Sequence, residues 1–449
     1  MGRLFGTDGA RGIANTELTC SLALNLGKAA AAVLTGSSGK KPRILIGKDT
    51  RISGDMLESA IAAGLCSVGA DVILLGVVPT PAVAFLVKKY GCDAAFMISA
   101  SHNPFEYNGI KIFNGEGYKL PDETENEIEA IILDREGNVP ICSGSALGKI
   151  SFCDTAVTDY IEYLETTVDV DFKGLKVAVD CAYGSSSRTA KTLFSQFGCE
   201  LSVINAKPNG ININDNCGST HLKSLSSFVK ENGCDVGLAF DGDADRLLAV
   251  DENGEETDGD KIITICAKYL NEENKLKNKT AVVTVMSNIG FKKFCDAQGI
   301  KYETTDVGDR YVLELMREKG YNLGGEQSGH IIFTDYATTG DGQLTALQLL
   351  RIMKKSGKKL SELGAVMKTY PQITINVPVS DMGKAGFKYD REIQNAVKQA
   401  ENVLADKGRV LVRVSGTEPL VRIMLEGENK QETEILAKEI AEVVRLKLI

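Results

Sequence analysis

Three stretches of this chain repeat one pattern, and that repetition constrains the fold more than any other feature. An apolar, β-rich run begins at Arg43-Ile-Leu-Ile-Gly, at Leu175-Lys-Val-Ala-Val-Asp and at Thr280-Ala-Val-Val-Thr-Val. Each is followed by a small-residue loop, a stretch of helical periodicity and a second strand opening near a glycine. Those second strands are Gly69-Ala-Asp-Val-Ile-Leu-Leu, Gly198-Cys-Glu-Leu-Ser-Val-Ile and Gly299-Ile-Lys-Tyr-Glu-Thr. Strand–helix–strand alternation places helices on both faces of a sheet. The expectation is three similar α/β domains with mixed, largely parallel sheets, alike in pattern more than in residues. The remainder differs. Tyr370–Pro378 alternates like a half-buried strand, Glu392–Leu404 reads as an amphipathic helix, Gly408–Val414 and Leu420–Glu426 as a strand pair, and Gln431–Arg445 as a closing helix. This predicts a smaller C-terminal α+β domain, with domains spanning 1–150, 151–254, 255–368 and 369–449. Near the start, Leu18–Leu34 has helical periodicity, whereas the glycine-rich Phe5–Gly12 predicts a loop.

A chain of 449 residues exceeds what one core organises. It has no run of 18 or more apolar residues and no basic-flanked leader, so neither membrane insertion nor export is expected. The 11 cysteines are scattered without a C-x-x-C pair, which suits reduced thiols in a cytoplasm. A net charge of −9 argues against a nucleic-acid surface. An anionic ligand would have to be held by local cations and backbone amides.

Four polar loops carry the candidate chemistry. In Ile98–Lys111, an apolar run, Ala94–Ile98, delivers the chain to Ser101 and His102, with Asn103-Pro104 and Asn108-Gly109 as turn signals. A hydroxyl beside a titratable ring at the end of a strand is a frequent place for catalysis in α/β folds; Ser101 as a simple turn residue is the plainer reading. Asp241-Gly-Asp-Ala-Asp-Arg246 puts carboxylates at 241, 243 and 245 after a strand-like run. Three such charges call for a divalent counter-ion, and oxygen ligands favour Mg²⁺ or Ca²⁺. An EF-hand is rejected, because its glycine position holds Arg246 and the flanks read as strands. Gly324-Gly-Glu-Gln-Ser-Gly-His330 offers mixed donors and acceptors from Glu326, Gln327 and Ser328 suited to a polyhydroxylated ligand, on glycines that free the backbone to approach it. Arg413-Val-Ser-Gly-Thr-Glu-Pro419, with Arg422 beyond it, offers Ser415, Gly416 and Thr417 as a phosphate cradle between two guanidinium forks.

These four loops, in this order and one per domain, resemble those of the α-D-phosphohexomutase family over nearly the whole chain. Phe5-Gly-Thr-Asp-Gly-Ala-Arg-Gly, Gln327, Asp306–Val312 and Thr338–Gly342 make it most similar to members acting on amino sugars. The resemblance implies an isomerase in which Ser101 is a phosphoserine, and Asp241, Asp243 and Asp245 hold one Mg²⁺ together with a phosphoserine oxygen. It implies that Ser101 exchanges its phosphoryl group with a phosphosugar through a sugar bisphosphate, which also primes the enzyme. Arg11, Lys111 and Arg246 would compensate charge, and His102, Lys111 and His330 are unranked candidates for proton transfer. Glu326 and Ser328 would read sugar hydroxyls, and Arg413, Ser415, Gly416, Thr417 and Arg422 would grip the phosphate that is not reacting. It further implies a homodimer, a cytoplasmic setting and a role in cell-wall precursor supply, with no nucleic-acid or membrane partner. Two other readings use the same loops: a phosphosugar-binding protein that has lost catalysis, and a phosphatase.

Overall fold

The structure, a computed structural model, describes residues 3–6, 8–34, 41–134, 139, 141–415 and 419–448. The chain divides into two compact units, Met1–Met286 with Ile300–Val366, and Ser287–Gly299 with Met367–Ile449.

The first unit contains three sheets. The first is built from β1 (Phe5–Gly6), β2 (Gly9–Ile13), β3 (Arg43–Lys48), β4 (Asp71–Val77), β5 (Ala94–Ile98), β6 (Tyr107–Asn114) and β7 (Ile150–Phe152), in the order β1-β2-β6-β5-β3-β4-β7. Pairing is parallel from β5 through β3 and β4 to β7, and antiparallel on the β1 side. The second contains β8 (Lys176–Asp180), β9 (Glu200–Ile204), β10 (Val236–Phe240), β11 (Leu247–Asp251) and β12 (Glu256–Thr257), ordered β12-β11-β10-β8-β9. The third contains β13 (Thr280–Thr284), β14 (Lys301–Thr305), β15 (Leu323–Gly325) and β16 (Ile331–Phe333), ordered β14-β13-β15-β16. In every sheet the two strands of the repeated pattern are adjacent and parallel: β3 with β4, β8 with β9, β13 with β14. Strands β5 and β10 are buried along their whole length, and strands covered on both faces read as continuous apolar runs.

The second unit holds an antiparallel sheet of β17 (Gln372–Pro378), β18 (Gly408–Val414) and β19 (Leu420–Gly427), ordered β17-β19-β18. Helices Arg391–Leu404 and Lys430–Leu448 supply Ile393, Leu404, Ile440 and Val444 to a core shared with Val377, Val421 and Ile423. Asp390 caps the first of these helices, its carboxylate accepting from the amides of Glu392 and Ile393. This is the smaller α+β domain expected.

Two local expectations are corrected. Phe5–Gly12 is not a loop: it supplies β1 and most of β2. Gly9 turns at φ +84°, and a side chain there would strike the Ile110 carbonyl on β6, so glycine is what lets the hairpin join the sheet. Asn108-Gly109 is not a turn either. Both lie inside β6, where Gly109 opposes Arg11 and a Cβ would meet the Ser99 carbonyl.

Candidate active site

The buried strand β5 ends at Ile98, and the chain then turns sharply. Ser101 takes φ +52°, a left-handed conformation costing a non-glycine residue about 1–2 kcal/mol. Its buried hydroxyl donates to Asp241 Oδ2 at 2.5 Å. Asp241–Arg246 is the loop between antiparallel β10 and β11, where Phe240 faces Leu247; the flanks are strands, as the rejection of an EF-hand requires. Ala244, at φ +57°, turns the loop so that its three carboxylates converge.

One oxygen from each of Asp241, Asp243 and Asp245 lies within 4.8 Å of the others. Lys111 Nζ reaches Asp243 Oδ2 at 2.8 Å, Asp245 Oδ2 at 3.3 Å and Asp8 Oδ2 at 3.2 Å. Burial lowers the pKa of this amine, but those three carboxylates together hold it well above the usual lysine range, so it is a fixed cation. Helix Thr80–Lys89 presents its N-terminus to the loop. The Thr80 amide donates to the Asp243 carbonyl at 2.9 Å and its hydroxyl to Asp243 Oδ2 at 2.5 Å, a favourable end of the helix for negative charge. Asp245 is held well below the normal carboxylate range, Lys111 and His330 outweighing burial. Asp241 goes the opposite way: burial, then Asp245 and Asp243, push it well above that range. The nearby lysine and arginine thus leave the triad short of positive charge. Asp243 Oδ1 and Asp245 Oδ1 are buried without a hydrogen-bond partner. Orphaned oxygens on an all-carboxylate set fit a hard divalent cation.

The expected neighbours gather around this core. Burial, then Arg246 and Arg11, push His102 down to about 4, so its ring is neutral at physiological pH. Arg246 Nη1 donates to His102 Nδ1 at 3.3 Å, and the same nitrogen lies 3.4 Å from Ser101 Oγ. Nδ1 is therefore the unprotonated, acceptor side of the ring. His330 is different. The Gly340 amide donates to its Nε2 at 3.0 Å, and its Nδ1 faces Asp245 Oδ2 at 3.6 Å. Arg11 pairs with Asp8 and approaches Asn103 Oδ1 at 3.5 Å.

Sequence reasoning missed Asp8, Thr80, Lys119 and Asp309. Lys119 bridges Asp8 Oδ1 at 2.5 Å and Asp309 Oδ2 at 2.6 Å, tying the first sheet's domain to the third beside the triad. Asp8 and Asp309 lie in the two segments Phe5–Gly12 and Asp306–Val312 that carried the resemblance, the one signal that pointed to them. Thr80 and Lys119 had none.

In the third loop, Glu326 Oε1 accepts from the Gly308 amide at 3.2 Å, and burial above all raises its pKa. Ser328 is exposed. The Gln327 side-chain amide donates to Asp258 Oδ2 at 3.2 Å, bracing the cap of helix Gly259–Glu272. The glycines are corrected too. A Cβ on Gly324 would meet the Val282 carbonyl at 2.9 Å and one on Gly325 the His330 carbonyl at 2.5 Å, while one on Gly329 would strike the Leu247 carbonyl. Each of the three admits a neighbouring backbone.

In the second unit, Arg413 and Arg422 face each other directly across β18 and β19. That register sets the two side chains next to each other on one face of the sheet. Ser415 is buried, its amide donating to the Leu420 carbonyl at 2.8 Å; Gly416 and Thr417 lie outside the described residues.

A serine hydroxyl against a carboxylate triad, in a chain with three α/β sheets and an antiparallel fourth, fits a phosphohexomutase, and comparison with known proteins agrees. Models of the phosphoglucomutase/phosphomannomutase family match in series: α/β/α domain I over residues 2–138, domain II over 158–254, domain III over 258–370 and the C-terminal domain over 375–443. The chain belongs to this family. Among full-length relatives, the phosphoglucosamine mutase of Clostridium novyi is 56% identical over 447 residues, covering 100% of this chain and 99% of that protein. That of Acetivibrio thermocellus is 53% identical over 448 residues, covering 100% of both. Solved structures share the fold: a phosphoglucomutase/phosphomannomutase family protein of Burkholderia thailandensis has a TM-score of 0.83 at 23% identity, covering 99% of this chain and 98% of that one. An Aspergillus fumigatus N-acetylphosphoglucosamine mutase, solved with GlcNAc-6P and magnesium, gives 0.69 at 18% identity, covering 99% and 96%.

Proposed function

We propose that this chain interconverts glucosamine 6-phosphate and glucosamine 1-phosphate, with Ser101 as the phosphoryl carrier and a sugar bisphosphate as intermediate and primer. The observation that carries the reading is the Ser101 hydroxyl, 2.5 Å from Asp241 in a triad whose other two members keep orphaned buried oxygens. The near-identity of length and 56% identity to a phosphoglucosamine mutase support the sugar. Asp241, Asp243 and Asp245 are the residues that would hold one Mg²⁺; bound there, it would neutralise charge on the transferring group.

Phosphoserine carries about −1.5 to −2 charges at neutral pH, and Lys111, Arg246 and Arg11 supply the fixed cations beside it. Of the three proton-transfer candidates, Lys111 is committed as a cation, and His330 Nδ1 lies 3.6 Å from Asp245 Oδ2. His102, neutral and with Nδ1 3.4 Å from Ser101 Oγ, and His330 are the side chains left for proton transfer. Glu326 and Ser328 would contact sugar hydroxyls. Arg413, Ser415, Thr417 and Arg422, with the Gly416 backbone, would hold the phosphate that is not reacting, in either orientation of the bisphosphate. The family resemblance adds a homodimer, checked by sedimentation. All 11 cysteines are free, in keeping with a cytoplasmic setting, and no helix among the described residues is long and apolar enough to cross a membrane.

The test is turnover of purified chain primed with a sugar bisphosphate. Glucosamine 6-phosphate should be converted faster than mannose or glucose phosphates. A preference for mannose 6-phosphate would overturn the sugar assignment. Release of inorganic phosphate in step with substrate loss would mark a phosphatase, and binding without turnover a protein that has lost catalysis.

A further inference from the structure

The left-handed turn at Ser101 is held by a clamp with one arm in each of two domains. The Ser101 carbonyl accepts from Arg51 Nη2 at 2.9 Å and from Asn214 Nδ2 at 2.9 Å. The same two groups hold the Asn103 carbonyl, at 2.8 Å from Arg51 Nη2 and 3.0 Å from Asn214 Nδ2. Arg51 belongs to the domain that carries the serine. It is buried against Asp49, its Nε donating to Asp49 Oδ2 at 2.9 Å, and Asp49 also accepts from Ser99 Oγ, which in turn accepts the Ser101 amide. Asn214 comes from the domain that carries the carboxylate triad. It is buried in a left-handed conformation, φ +60°, with its amide on the Ala182 carbonyl at 2.9 Å. The joint is packed closely: a Cβ on Gly242, between the first two triad aspartates, would lie 2.5 Å from the Ser101 carbonyl oxygen and 3.0 Å from Asn214 Nδ2.

We infer that Asn214 is a positioning residue, the cross-domain donor that sets Ser101 Oγ against the triad. The backbone of Ser101 is an unfavourable one, so without restraint on both sides its hydroxyl would swing away from Asp241. Arg51 restrains the loop only relative to its own sheet. Asn214 restrains it relative to β10 and the aspartates, which is the distance that matters for transfer to and from the serine. The hydrogen bonds of Asn214 go to Ser101, Asn103 and Ala182 and not to Glu326 or Ser328, so its effect belongs to the chemical step and not to sugar recognition. This inference rests on Ser101 being the phosphoryl carrier.

The experiment compares Asn214→Ala and Asn214→Asp with the parent chain by intact mass, following the rate at which glucose 1,6-bisphosphate phosphorylates the serine, alongside kcat and KM for glucosamine 6-phosphate. Both carbonyls keep Arg51 in the alanine variant, so it should fold. Phosphorylation and kcat should fall roughly 10- to 100-fold, the scale of a slight misplacement of reacting groups, with KM within about threefold. The aspartate variant fills the same space but presents an acceptor to two carbonyls, so it should be at least as impaired as alanine. If the residue only filled space, aspartate would be the milder change. That order, or a phosphorylation rate within about twofold of the parent in either folded variant, would overturn the proposal. A parent chain that takes no phosphate at all would instead overturn the carrier role of Ser101.

Discussion

Replacing Lys111 by methionine is the perturbation whose size the structure sets most clearly. The amine sits 2.8 Å from Asp243, 3.3 Å from Asp245 and 3.2 Å from Asp8, with a side chain 1% exposed. At an effective dielectric constant of about 20, each such pair attracts by about 5 kcal/mol, and desolvation cancels most of that. Taking the cation away leaves the carboxylates buried and uncompensated, a loss of about 3–5 kcal/mol. At about 2 °C per kcal/mol for a large unit, the first thermal transition should drop by roughly 6–10 °C in the presence of a chelator. Magnesium at a hundred times its dissociation constant returns about 2.7 kcal/mol. Because the variant has lost the competing cation, it should bind Mg²⁺ more tightly and be stabilised by it more than the parent chain. Differential scanning fluorimetry with EDTA and with a Mg²⁺ titration reads both effects. A variant that melts within about 2 °C of the parent in EDTA, or that gains no more from Mg²⁺, would refute the picture of a charge-deficient triad held by Lys111.

Three further outcomes follow from the same geometry. Ser101→Ala should lower turnover by on the order of 10⁴-fold or more while leaving binding of glucosamine 6-phosphate intact by calorimetry; normal turnover would remove Ser101 from the mechanism. Arg413→Ala or Arg422→Ala should raise KM roughly 10- to 100-fold, the value of about 1.5–3 kcal/mol for a hydrogen bond to a charged group, and an unchanged KM would separate this pair from substrate. Asp341, buried at the cap of helix Gly342–Ser356, is pushed up to about 6 by its burial. The folded chain then keeps a proton that the unfolded chain, at about 3.9, has released. Stability should therefore fall as pH rises from about 4 to about 6, by about 3 kcal/mol in all. Asp341→Asn should flatten that part of the urea-unfolding profile, and an unaltered slope would contradict the shift.

How far such a site can be seen in sequence depends on whether its signal is local. Strands such as Ala94–Ile98 and Val236–Phe240 were legible because sheets covered on both faces need unbroken apolar runs. The triad at 241, 243 and 245 was legible because three carboxylates in five residues demand a counter-charge wherever they lie. The N-terminal hairpin was not, since Gly9 serves close backbone packing against β6 and looks like a loop residue in isolation. The same confusion led glycines 324, 325 and 329 to be read as ligand-facing. Thr80 and Lys119 escaped because their partners lie 163 residues away, at Asp243, and 111 and 190 residues away, at Asp8 and Asp309. No periodicity in a chain reports a contact made at that separation. The hydrogen bond from Gln327 to the helix cap was hidden for the same reason: its partner, Asp258, lies 69 residues away.

The central claim is that Ser101 carries the phosphoryl group, and intact-mass measurement tests it most directly. The chain incubated with a sugar bisphosphate should gain the mass of one phosphoryl group, located by peptide mapping on Ser101. It should lose that mass on treatment with phosphatase, and Ser101→Ala should gain nothing. Incorporation at another residue, or full turnover by chain that never acquires phosphate, would contradict the account.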